Sequence, residues 1–139
     1  MARRPSRLME IARIALAALF AMGAIANVIM VAVQPDLYQD FASLALVSFY
    51  RQAWEQFVLP NLVVAIMGVA AFEMVLALVM VRPNPSARVG LALTAAFMLA
   101  LVPFWWAGGA VANVLLASFA AWLATGDCRS SAVQTLRRR

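Results

Sequence analysis

Four long apolar runs constrain the fold of this chain more than any other feature of its sequence. They cover residues 8–33, 58–81, 86–104 and 108–125. Because about 20 apolar residues span the hydrocarbon core of a bilayer, each run is a candidate transmembrane helix. The short connections between the second, third and fourth runs favour antiparallel neighbours. The sequence therefore predicts an all-α polytopic membrane protein, an antiparallel bundle of four transmembrane helices within a single domain over residues 1–126.

The composition agrees with a bilayer environment. Hydrophobic residues make up 65% of the chain and charged residues 12%. A soluble domain carries about 25% charged residues, roughly twice this share. The polar C-terminal segment, residues 127–139, is predicted to be a basic tail outside the membrane.

The basic residues predict the orientation of the bundle. All eleven are arginine, and only Arg51 lies in the long connection between the first and second runs. The other ten cluster at the opposite ends of the predicted spans, and such clusters mark the cytoplasmic side. We therefore expect a multi-pass protein of the bacterial inner membrane with both termini in the cytoplasm. The expected partners of these arginines are membrane lipids, not nucleic acid, because no aromatic–basic platform accompanies them.

The connection between the first two spans has an amphipathic pattern. Over residues 37–57, polar side chains recur every three or four positions, with a gap near Val47. This spacing predicts an interfacial helix on the outer surface. Aromatic residues are expected at the headgroup levels. Tyr38, Tyr50, Trp54, Trp105 and Trp106 fall at the outer level, and Trp122 falls at the inner level.

Several chemistries lack their residues in this chain. It has no histidine and one cysteine, Cys128. Histidine-ligated haem or zinc, a Ser/His/Asp triad and a cysteine-held iron–sulfur cluster are therefore excluded. The sequence predicts no metal site, no catalytic residue and no cofactor held through His or Cys, although a quinone or a lipid remains a candidate ligand.

Glu73 is the one charged residue within the second apolar run. A charge in lipid is costly, so we expect this carboxylate to face the bundle interior. Counting along the helices places Ala18, Thr94 and Ser118 at a similar depth, and Arg13 about one turn closer to the cytoplasm. These residues form a candidate ligand or proton site. Two hypotheses remain open: an ion pair of Glu73 with Arg13 or Arg88 locks the bundle, or Glu73 protonates or binds the polar head of a ligand.

Polar and small residues mark candidate helix interfaces. Asn27 and Asn113 lie in the outer halves of the first and fourth spans, where their amides are expected to bond across helices. Gly109, Ala117 and Ala121 continue a four-residue spacing through Asn113. Stripes of this kind favour close helix packing within the bundle or docking onto a partner's helix.

Three segments resemble the DoxX-like family of small four-helix bacterial membrane proteins. They are the opening RIALAALFAMGAIANV, the segment FEMVLALVMV that contains Glu73, and the segment ARVGLALTAAFMLAL after the short arginine-containing turn. The resemblance covers about two thirds of the chain. It implies an accessory membrane subunit, which in some members is linked to quinone-dependent sulfur oxidation or to oxidant defence at the membrane.

Three functions are compatible with these features. The first is a non-catalytic accessory subunit or scaffold that docks onto other membrane-protein subunits of a larger complex, with a redox or quinone link. The second is a bundle that binds a quinone or lipid through Glu73. The third is a proton-coupled small transporter. It is disfavoured because such transporters carry their membrane glutamate in the first helix and show little charge bias. In this chain Glu73 is in the second span, and ten of the eleven arginines fall on one side.

Overall fold

The computed structural model describes residues 7–104 and 108–126. These residues contain helices and no strand, which confirms the predicted all-α class. The α-helices are α1 (Arg7–Val33), α2 (Phe41–Leu44), α3 (Ser48–Ala53), α4 (Leu62–Met80), α5 (Ser86–Leu101) and α6 (Gly108–Ala124). Trp105, Trp106, Cys128 and the predicted basic tail lie outside the described residues.

Three helical stretches are long and apolar enough to cross a membrane. They are Arg7–Val33, Ser48–Met80 and Ser86–Phe104. The helix α6 is also apolar but has 17 residues, so it is shorter than these three. The coarse prediction of several long apolar helices therefore agrees with the structure.

The long helices pack in two close pairs. The helix α1 lies along α4, and α5 lies along α6, while α4 also packs against α5. The direct contact between α1 and α6 is much smaller. One end of this assembly, where α1 begins and α4 ends, contains Arg13 and is called the Arg13 end. The opposite end, where α1 leads into the segment with Tyr38, is called the Tyr38 end.

Dense packing is concentrated towards the Arg13 end. Its fully buried side chains include Leu76, Met80, Leu91 and Leu123. At Gly90, an added Cβ atom would lie 3.0 Å from Val79 Cγ1 and 3.1 Å from the Met80 backbone nitrogen. Glycine therefore allows α5 to approach the end of α4 closely.

The predicted interfacial helix over residues 37–57 is wrong as a single element. It is divided into a 3-10 turn at Pro35–Tyr38, α2 and α3, and a π-helical turn at Trp54–Val58 follows α3. The break falls at the gap near Val47, where the backbone is extended. There the Leu46 N–H donates to Pro103 O at 2.8 Å, so this backbone group bonds to the α5 side of the molecule instead of continuing a helix.

The small-residue stripe of α6 is also divided. Ala117 is buried, but Ala121 is exposed, and the buried row continues through Ala120 and Leu123. Because a helix turns once every 3.6 residues, a strict four-residue row drifts away from the contact. The three-residue steps follow the face that packs against the rest of the molecule.

Candidate functional site

Glu73 lies on α4 and is bonded to α1. The Asn27 Nδ2 donates to Glu73 Oε2 at 2.9 Å. The backbone of α1 approaches closely because of Gly23, where an added Cβ atom would lie 3.5 Å from the same carboxylate oxygen. Glu73 is half-buried, and its Oε1 accepts no hydrogen bond from the described residues.

The Asn27 amide connects this carboxylate to the Tyr38 end. Because Nδ2 faces the acceptor oxygen of Glu73, Oδ1 is turned to the other side, where it accepts a hydrogen bond from the Tyr38 hydroxyl at 3.1 Å. Trp54 Nε1 in turn donates to the Tyr38 carbonyl oxygen at 2.8 Å. This series of hydrogen bonds therefore links α4, α1 and the segment between these two helices, residues 34–61, which is called the connecting segment.

A cavity of about 320 Å³ opens beside this series of hydrogen bonds. Its polar lining comes from Asn27 and Glu73, together with the amphipathic rings of Tyr38 and Trp54. The remaining walls are apolar and come from Met30, Phe41, Ile66, Val69, Phe97, Leu101 and Phe104. A concave apolar site with a few convergent polar groups is the usual form of a small-molecule site.

The aromatic wall is a continuous series of ring contacts. The ring centroids are 5.4 Å apart for Tyr38 and Phe41, and 5.6 Å apart for Phe41 and Trp54. Trp54 and Phe104 follow at 5.4 Å in an edge-to-face arrangement. Such pairs contribute about 0.5–1.5 kcal/mol beyond area burial, so they fix the shape of the wall.

Tyr38 is the central side chain of this end, and it is buried where the sequence predicted a position at the headgroups. As a belt residue it was expected to face headgroups, but it is only 2% exposed. Burial raises the pKa of its phenol above the usual value of 10.0, and the negative charge of Glu73 raises it further. The hydroxyl therefore stays protonated and remains a donor to Asn27 at neutral pH. Its burial follows from the turn at Pro35–Tyr38, which directs the chain back over the bundle.

The predicted partners of Glu73 lie elsewhere. Arg13 is fully buried and donates through Nη1 to Met80 O and Arg82 O, both at 2.6 Å. The Thr94 hydroxyl faces Met80 Sδ at 3.6 Å. Ser118 is exposed and donates to Val114 O of its own helix at 2.8 Å. The expected cluster of these three residues around Glu73 is therefore wrong.

The register of α1 against α4 explains the error. Depth counted from the helix ends placed Ala18 level with Glu73. Arg13 instead contacts the end of α4 at Met80. In this register Gly23, and not Ala18, lies opposite Glu73. Arg88, the other arginine predicted to pair with Glu73, donates through Nη2 to Gly126 O at 3.2 Å. It is therefore bonded elsewhere as well.

The two asparagines predicted at helix interfaces differ. Asn27 forms the expected bond across helices, although to Glu73 and not to a second amide. The Nδ2 of Asn113 is buried and has no hydrogen-bond partner among the described residues. Only Asn27 belongs to the site.

Within residues 7–104 and 108–126, no three His, Cys, Asp or Glu side chains come together as metal ligands. Comparison with family models, with curated proteins and with solved structures finds no match. The DoxX-like assignment therefore stays a prediction.

Proposed function

We propose that this chain is a membrane-embedded binding protein for a small amphipathic molecule whose polar head is held by Glu73. The observation that carries the proposal is the cavity at the Tyr38 end, which has one carboxylate in an otherwise apolar and aromatic lining. The apolar body of the ligand would lie along the aromatic wall. This corresponds to the second of the functions that the sequence left open.

The energetics of Glu73 support a functional role. A charge in the hydrocarbon region costs at least about 2.5–3.5 kcal/mol. One hydrogen bond to a charged group returns about 1.5–3 kcal/mol. Glu73 lines the cavity and receives one such bond, from Asn27, while its second oxygen accepts none from the described residues. A ligand head would supply the missing interaction.

The apolar stretches and the arginines support the setting. We assign the three long apolar stretches to a bilayer and the Arg13 end to the cytoplasmic face of a bacterial inner membrane, as the arginine distribution predicts. The Tyr38 end, with its cavity, would then lie towards the outer face. The bundle of four transmembrane helices belongs to the same proposal, because α6 is shorter than the other three stretches.

The accessory-subunit function stays a prediction. The sequence supports it by the missing redox ligands, by the apolar character of the whole chain and by stripes of small residues, of which the stripe in α6 is divided between buried Ala117 and exposed Ala121. A redox or quinone link would rest on the resemblance to the DoxX-like family alone. The cavity favours ligand binding over docking.

The test is to identify small molecules that remain with the protein after gentle extraction into lipid nanodiscs. Mass spectrometry would compare the wild type with Glu73→Gln, which keeps the size of the side chain and an oxygen for Asn27 but removes the charge. Gly68→Ala is the matched control on the same helix, because nothing lies within 4 Å of an added Cβ atom there.

We expect the wild type and Gly68→Ala to retain the same amphipathic molecule and Glu73→Gln to lose most of it. Equal retention by Glu73→Gln would remove Glu73 from the site. A large protein partner that co-purifies with an empty cavity would instead favour the accessory subunit.

A further inference from the structure

We infer that the ligand of the cavity at the Tyr38 end is an organic cation, a protonated amine or quaternary ammonium with an apolar body. This inference rests on the proposed binding function and names its ligand class. It follows from three features of the cavity: the hydrogen-bonding groups that are still available, the charges of the lining and the arrangement of the rings.

The charged group of the site that can accept a further hydrogen bond is the Glu73 carboxylate. Three donors around the cavity already have acceptors: Trp54 Nε1, the Tyr38 hydroxyl and one N–H of the Asn27 amide. Glu73 Oε1 accepts no hydrogen bond from the described residues, so it can accept one from a ligand, and the second Asn27 N–H is the one neutral donor left on that amide. A quinone carbonyl would bring a further acceptor to this carboxylate, whereas an ammonium group brings positive charge and, if protonated, N–H donors.

The lining also has one sign of charge. It includes Glu73 and no arginine, and the chain has no lysine or histidine. Of the arginines in the described ranges, Arg51 is the one in the connecting segment near the Tyr38 end, and its Nε donates to Ala42 O at 3.2 Å. An anionic ligand would therefore meet repulsion without a compensating cation, and a neutral ligand would leave the carboxylate unmatched.

The aromatic wall suits a cation in a second way. A cation is attracted to the face of Trp, Tyr or Phe within about 6 Å of the ring centroid, most strongly for Trp. Successive centroids along Tyr38, Phe41, Trp54 and Phe104 are 5.4–5.6 Å apart. A cation beside Glu73 and this wall can therefore be within range of more than one ring, as in the aromatic cages that recognise quaternary ammonium groups.

The test compares a cation with a neutral molecule of the same shape. Benzyltrimethylammonium is the cationic probe, and neopentylbenzene, in which carbon replaces the ammonium nitrogen, is its neutral counterpart. Menadione serves as the quinone probe. Binding to protein in nanodiscs is measured by equilibrium dialysis, with empty nanodiscs subtracted. We expect the wild type to bind the cation at least about tenfold more tightly than neopentylbenzene, and Glu73→Gln to lose this preference.

Two phenylalanine variants test the aromatic contribution. Phe104→Leu removes a ring from the wall, whereas Phe49→Leu removes a ring that is 70% exposed and does not line the cavity. Cation–π attraction of about 0.5–2 kcal/mol corresponds to an affinity loss of roughly 2- to 30-fold for Phe104→Leu. Phe49→Leu should bind as the wild type does. Circular dichroism and gel filtration establish that each variant is folded before its affinity is compared.

The outcomes separate the inference from the proposed function. If menadione or neopentylbenzene binds as tightly as the cation and Glu73→Gln has no effect on selectivity, the cavity is a ligand site but the cation inference is wrong. If none of the probes binds, both are wrong. Cation binding that is equal in the wild type and Glu73→Gln also overturns the inference, because the carboxylate would then take no part.

An ammonium group can belong to a free amine or to a choline lipid. Nanodiscs of phosphatidylglycerol and of phosphatidylcholine distinguish these sources, when the difference between wild type and Glu73→Gln is compared in each. Equal binding of benzyltrimethylammonium in both identifies a free cation as the ligand. Competition in phosphatidylcholine alone identifies the choline headgroup.

Discussion

The two ends of the molecule each contain an ionisable side chain between α1 and α4, and these two side chains differ in burial and in hydrogen bonding. At the Arg13 end, the guanidinium is fully buried and donates to two backbone oxygens, with dense packing around it. At the Tyr38 end, Glu73 is half-buried, accepts one bond from Asn27 and faces a cavity of about 320 Å³. The first charged group is bonded to the backbone of the fold, and the second has one oxygen that accepts no hydrogen bond from the described residues.

This difference predicts unequal contributions to stability from the two charges along one helix pair. Met80 O is among the last carbonyls of α4, which have no partner within the helix. Arg13 supplies that partner and joins the start of α1 to the end of α4. Glu73 joins α4 to α1 through one hydrogen bond, from Asn27 Nδ2, and its Oε1 accepts none from the described residues. Removing the two charges should therefore change stability in different ways.

The largest effect is expected from Arg13→Leu. Two hydrogen bonds from a charged donor are lost, each with a contribution of about 1.5–3 kcal/mol, so we expect a loss of roughly 3–6 kcal/mol in the free energy of unfolding. Denaturant titration of the purified protein, followed by circular dichroism, measures this loss. Arg13→Lys keeps the charge with one compact donor group and should lose less. Wild-type stability of Arg13→Leu would show that the Arg13 end is not the structural end.

Gly90→Ala tests the packing of the same end. The added Cβ atom would meet Val79 and the Met80 backbone at 3.0–3.1 Å, and overpacking of this kind costs about 1–3 kcal/mol. Gly68→Ala is the control, since its Cβ atom enters open space and alanine is favoured over glycine in a helix by about 1 kcal/mol. The same unfolding assay compares them. Equal stability of both variants would mean that α5 can shift away from α4 at little cost.

The sequence was sufficient for the class of fold because apolar run length is a local property. It also identified Glu73, since one carboxylate among apolar residues is visible without any knowledge of neighbours. The register of α1 against α4 is not local. It depends on the Arg13 contact with the end of α4, and an error of little more than one turn exchanged Gly23 and Asn27 for Ala18 as the neighbours of Glu73.

The connecting segment was harder to predict than the long helices. Its polar spacing fits a helix on either side of the break, but Leu46 bonds to Pro103, a residue more than fifty positions away. Tyr38 likewise fits a headgroup position by composition, and only its contact with Asn27 shows that it closes the site. Both errors come from long-range contacts that no short pattern records.

Glu73→Gln should have a small effect on stability that differs from that of Arg13→Leu. The amide keeps an oxygen for Asn27 and removes a charge that a single hydrogen bond does not fully compensate. We therefore expect the unfolding free energy to stay the same or to rise by up to about 1 kcal/mol. Unfolding of the ligand-free protein measures it. A loss as large as that of Arg13→Leu would assign Glu73 a structural role and remove the contrast between the ends.

The smallest expected effect is the pH dependence that Tyr38 gives to the Tyr38 end. Its pKa is raised in the folded protein by burial and by Glu73, above the usual value of 10.0. The unfolded chain then loses the phenol proton first, so this contribution to stability is complete below pH 10.0 and is lost as the pH rises through the folded pKa. Tyr38→Phe should lack this loss, in addition to a pH-independent cost of about 1 kcal/mol for the missing bond to Asn27.

An absorbance titration of phenolate formation measures the Tyr38 pKa directly. The chain has two tyrosines, so the difference between the wild type and Tyr38→Phe isolates Tyr38 from Tyr50. We expect the midpoint of that difference above 10.0, and closer to it in Glu73→Gln, because the negative charge of Glu73 is the second cause of the shift. A midpoint unchanged by Glu73→Gln would mean that burial acts alone and that the carboxylate has little electrical effect on the ring beside its cavity.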